Sequence, residues 1–117
     1  MKVIKASNNS KALSRINEMM ESLEKFIRDI DDNTFWFSTK MNLSDASSTA
    51  HFLSVYNNGK EITSLGDSEL VEKTKLLCQS IESVWSFTAE CNDLDLMEYR
   101  ELERHFYSLK NTLAKKS

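Results

Sequence analysis

Proline is absent from the 117 residues, and glycine occurs only twice, at Gly59 and Gly66. Those two residue types make most tight turns, so their scarcity disfavours an all-β chain and favours long helices. Cysteine is as rare. Cys78 and Cys91 stand thirteen apart in one predicted helix, a separation of about 20 Å at about 1.5 Å per residue, and they cannot pair unless that helix breaks. Buried, unreactive thiols and a reduced, cytoplasmic compartment are therefore expected. Long apolar runs are missing too: Phe35 to Phe37 and Leu76 to Cys78 are among the longest, against the roughly 20 residues a bilayer-spanning helix requires. Lys2 and Lys5 are followed by Ser7, Asn8, Asn9 and Ser10 rather than by an apolar stretch with a cleavage-like site, so neither a membrane span nor a secretion signal is expected.

What is present fits a folded globule. An apolar content of 40% beside 28% charged residues argues against disorder, and the length suits a single domain over residues 1–117. Residues 1–8 and 115–117 are expected to fray. The organising stretch is 67–91, where Asp67, Leu70, Thr74, Leu77, Ile81, Val84, Thr88 and Cys91 recur at intervals of three and four, the spacing of one helix face. Leu13, Ile16, Met20, Leu23, Ile27 and Ile30 mark a first helix capped near Asn8 to Ser10, and Tyr99, Leu102, Phe106, Leu109 and Leu113 mark a last one. Asp31 and Asp32 suit the start of a helix better than its partly negative end, which places a reversal at 31–33.

Residues 34–57 support two readings. Phe35, Phe37, Thr39, Met41 and Leu43 alternate like a strand, and Asn57-Asn58-Gly59 resembles a hairpin turn, giving an α+β alternative of three helices with a hairpin in 34–65. Trp36, Thr39, Leu43, Ala46, Ala50 and Leu53 instead continue the helical spacing, with Asn57 to Gly59 as a C-cap. The expected fold is accordingly all-α, an antiparallel four-helix bundle of helices similar in length, with Asn58 to Gly66 as its one long connection.

Chemistry-bearing constellations are sparse. No Glu-x-x-His pair provides a metal ligand set; Glu101 and His105 share a turn with Arg104 between them and read as a surface pair. Ser47 or Ser48 with His51 lacks a glycine elbow and an orienting acid, and two glycines make no phosphate loop. No catalytic residue, cofactor or metal is assigned, and an enzyme is not expected. Charge is uneven: four basic and no acidic residues in 1–17, the same in 104–117, and eleven acidic against three basic between Glu61 and Glu103. Basic ends brought together could meet phosphate, which makes a nucleic-acid-binding accessory protein the alternative function.

The second helix carries more apolar residues than one seam needs. Phe37, Met41, Phe52 and Val55 form a second stripe with Ser44 and Ser48 between them, near Phe35 and Tyr56. Leaving such side chains in water is costly, so these four are the candidate partner-binding residues. The expected function is a small non-enzymatic helical interaction module, self-associating as a homodimer, that masks or regulates another protein in the manner of immunity proteins, inhibitors or secretion chaperones.

Overall fold

The structure, a computed structural model, describes residues 10–33 and 36–116. It is all-α, with no strand among the described residues: α1 (Ser10–Asp32), α2 (Trp36–Val55), a short α3 (Lys60–Thr63), α4 (Ser68–Cys91) and α5 (Leu96–Lys115). None of these helices is long and apolar enough to cross a membrane.

The periodic stripes read from the sequence are the buried faces. Leu13, Ile16, Met20, Leu23 and Ile27 of α1 are buried with Ala12, Met19 and Phe26 beside them. In α4, Leu70, Thr74, Leu77, Cys78, Ile81, Val84 and Thr88 are buried, and in α5 all five residues of the stripe are. Side chains three and four apart line one face of a helix, and water drives that face inward.

Cap chemistry sets the ends. Asp67 accepts from the backbone N–H groups of Glu69 (3.0 Å) and Leu70 (3.2 Å), and Asp95 does the same for Met97 (3.0 Å) and Glu98 (3.2 Å). Asn92, at φ 53°, stops α4 and donates its N–H to the Thr88 carbonyl at 2.8 Å. One boundary differs from expectation: Asp31 and Asp32 finish α1 instead of opening α2. Asn33, at φ 56° with its N–H on the Ile30 carbonyl at 3.1 Å, takes the left-handed conformation that ends the helix. Both aspartates are exposed, where solvent weakens their repulsion with the helix dipole. Asn8 and Asn9 lie outside the described residues.

The hairpin alternative for 34–65 is overturned, because residues 36–55 are helical. Alternation would have put Thr39 and Leu43 on the same side as Phe37 and Met41. Thr39 and Leu43 are instead buried with Ala46, Ser47, Ala50 and Leu53, while Phe37 and Met41 face out. The helical period thus sorts the segment, and the small residues at its centre let neighbouring helices come close. After Val55 a 3₁₀ turn, Tyr56–Gly59, reverses the chain through left-handed Asn58 (φ 59°) and Gly59 (φ 76°). The connection that follows is not a plain loop. It holds α3, and Ile62 and Leu65 are buried in the core.

Neighbouring helices run antiparallel. The start of α2 meets the end of α1 where Thr39 and Asn42 donate to the Asp29 carboxylate at 3.4 and 3.3 Å. At the far end, Arg15 of α1 lies over Phe52 of α2. Lys40 of α2 reaches Asn92 at the end of α4, and Lys73 of α4 donates to Thr112 of α5 at 2.7 Å. Phe26 and Tyr99 meet edge to face at 5.8 Å, closing α1 on α5. That last seam is the loosest of the four and leaves shallow grooves along its length. Lys115 is the last residue of α5, and Lys116 is held in ion pairs; residues 1–9 and Ser117 lie outside the described set.

Candidate partner-binding face

At about 100° per residue, the buried stripe of α2 leaves Phe37, Met41, Ser44, Ser48, Phe52 and Val55 on roughly the opposite side of the helix. Phe37 is 63% exposed, Met41 52% and Val55 54%, so about half or more of each side chain faces water. From Phe37 to Val55 the stripe runs about 27 Å at about 1.5 Å per residue, with no charged side chain along it. Phe52 differs from the other three. It is half-buried, and the Arg15 guanidinium sits 3.9 Å above its ring. That contact supplies cation–π attraction and covers the ring, so Phe52 forms the edge of the face and not its centre. Phe35 and the Tyr56 side chain lie outside the described residues.

Polar groups rim the stripe on both sides. On the α4 side, Lys40 Nζ donates to Asn92 Oδ1 at 2.9 Å, and His51 Nδ1 lies 3.5 Å from Glu82 Oε1. On the α1 side, Arg15 Nε is 3.4 Å from Glu61 Oε1, which ties the edge of the face to the short helix α3. Asp45 is exposed on that same side near the middle of the stripe. An apolar centre inside a polar rim is the anatomy of a protein-binding patch.

The other candidate groups resolve as follows. Glu82 places a carboxylate beside His51 that sequence spacing could not foresee, but His51 is exposed and Ser47 is buried. Neither Ser47 nor Ser48 is hydrogen-bonded to the imidazole among the described residues, and the pair sits on an open helix surface. Glu101 takes Arg104 at 2.6 Å and His105 at 3.5 Å, and the Arg104 guanidinium holds its carboxyl below the usual range. No group of three metal-ligating side chains occurs among the described residues.

Cys78 is buried, and burial pushes its thiol up to about 12. Cys91, expected to be buried as well, is exposed, because the core thins out at the last turn of α4. The helix between the two cysteines is unbroken and both thiols are free.

Three of the basic side chains near the C-terminus face carboxylates. Arg104 has Glu101, Lys110 lies 3.7 Å from Glu24, and Lys116 lies 3.0 Å from Asp67 and 3.4 Å from Glu69. The Lys116 hydrogen bond and the Leu70 backbone N–H hold Asp67 below the ordinary carboxylate range, and the same ion pair raises Lys116. Lys2 and Lys5 lie outside the described residues.

Sequence reasoning missed a second set of exposed apolar groups. Leu96 and Met97 open α5, and Met97 borders an open groove of about 560 Å³ lined also by Gln79, Ser83 and Arg100. Tyr107 is exposed beside Phe106, the two rings edge to face at 5.0 Å. These residues fall outside any repeating stripe, so periodicity gave no signal for them. No family model, curated protein or solved structure matches this chain.

Proposed function

We propose that this protein is a small non-enzymatic interaction module of a reduced, cytoplasmic setting, a helical scaffold that docks on proteins, itself included, through the outer face of α2. What it covers it masks or regulates, as immunity proteins, inhibitors and chaperones do. The observation carrying this reading is the exposure of Phe37, Met41 and Val55 on one rimmed stripe of a helix whose folding seam is already satisfied on the other side. Covering what remains exposed of each side chain is worth on the order of 1 kcal/mol. Such a patch raises affinity for a partner without contributing to the core.

Light scattering on the wild type and on Met41→Glu tests the reading. A wild-type mass above 13.5 kDa that falls to 13.5 kDa in the variant, with helical content unchanged, is the expected result. A wild type of 13.5 kDa at every concentration, indistinguishable from the variant, would remove the support.

The alternative, phosphate binding by basic ends, has less behind it, since Arg104, Lys110 and Lys116 already face acidic partners. A gel shift over a salt series tests it, because real phosphate contacts weaken steeply as salt rises.

A further inference from the structure

The outer stripe of α2 is close to symmetric about its own midpoint. Phe37 and Val55 average to position 46, Met41 and Phe52 to a point just beyond it, and Ser44 and Ser48 to 46 again. Bulky side chains therefore occupy both ends and two small hydroxyls the middle. When such a helix is laid antiparallel on a copy of itself, Phe37 meets the partner's Val55, Met41 meets the partner's Phe52, and Ser44 meets the partner's Ser48. Residue i contacting j while j contacts i is what a two-fold interface requires. Serines at the crossing allow the two helix axes to approach to about 8 Å, the near end of the usual interaxial range.

Charge accords with the same arrangement. On the α4 side of the stripe, Lys40 lies toward one end, and His51 with Glu82 lies at the other. In an antiparallel pair the α4 side of one copy borders the α4 side of the other. Lys40 is then level with the partner's Glu82, twice by symmetry; in a parallel two-fold pair the α4 side would border the partner's α1 side and that contact would be lost.

Resting on the docking face proposed above, we infer that the occupant of that face is a second copy of this chain, its α2 antiparallel to the first across a two-fold axis between Ser44 and Ser48. The contact is one helix on one helix along about 27 Å, which places it at the small end of specific interfaces. It is therefore a dissociable dimer that forms as concentration rises. Asp45, exposed beside the axis on the α1 side, faces its own copy and limits the affinity.

The test is disulfide trapping in the intact chain carrying Cys91→Ser, with Cys78 left buried. Ser44→Cys and Ser48→Cys chains, one of them tagged to shift its mobility, are mixed in equal amounts and oxidised mildly. The mixed dimer is expected to exceed either homodimer by about fivefold or more, because Cα atoms more than about 7 Å apart cannot be bridged without backbone movement. Asp45→Asn is expected to lower the dissociation constant several-fold in light scattering. If Ser44→Cys alone traps as well as the mixture while Met41→Glu still abolishes the dimer, the antiparallel register is wrong and the docking face stands. If no dimer forms and Met41→Glu changes nothing, the docking face fails and the register with it.

Discussion

α4 and α2 are both buried along one side, yet their outer sides have opposite character. α4 shows water Glu72, Lys75, Gln79, Ser86 and Glu90, the polar surface an amphipathic helix needs to stay soluble. α2 shows Phe37, Met41 and Val55. The inner face of each helix follows from folding, and so does the outer face of α4. The outer face of α2 does not, and the proposed docking face rests on that difference. Substitutions that tell core from docking face make the contrast measurable.

The largest effect belongs to the core. Leu77→Ala in α4 should cost about 2–5 kcal/mol, the transfer loss plus a cavity, read from the urea midpoint. A cost no greater than that of an exposed residue would mean that the α4 stripe is not the core.

Next come the caps. Asp67→Ala should cost about 1 kcal/mol in thermal melts. It should cost more than Asp95→Ala, because Asp67 also holds Lys116 across the α4–α5 seam and Asp95 has no such partner among the described residues. Equal losses would show that the Lys116 pair adds nothing.

Acid should produce a smaller loss through the same group. The folded pKa of Asp67 lies below its ordinary value of 3.8, so its contribution is present above that value and disappears as pH falls through the folded pKa. Wild-type stability should therefore drop below about pH 4 by under about 1 kcal/mol from this group, since the pair is partly open to solvent. Asp67→Asn should flatten that part of the curve. Parallel urea midpoints for the two proteins across that range would contradict the assignment.

The smallest change in folding stability is expected on the docking face itself. Met41→Ala should shift the unfolding free energy by no more than about 0.5 kcal/mol at a concentration where the chain is monomeric. A loss of core size would place Met41 in the fold and erase the contrast with α4.

Much of the fold was legible because the 3–4 spacing is redundant: five or more residues in each of α1, α4 and α5 agree on one face. The exposed stripe was legible for the same reason, as a second period within α2. Local backbone choices were not. Asn33 taking a left-handed conformation extended α1 through two aspartates that charge reasoning had assigned to the next helix. Ile62 plugs the core from a helix of four residues and Leu65 from the turn after it, both too short to show a period. Phe52 was grouped with the exposed residues because nothing near it in the chain reveals that Arg15, 37 positions earlier, covers its ring. Glu82 beside His51 is likewise a product of tertiary packing.

The most direct test of the central claim is sedimentation equilibrium of the wild type over roughly a hundredfold range of concentration. The average mass should climb from 13.5 kDa toward twice that value, with Met41→Glu staying at 13.5 kDa under the same conditions. A wild type that holds 13.5 kDa throughout, superimposable on the variant, would contradict the claim that the outer face of α2 exists to be covered.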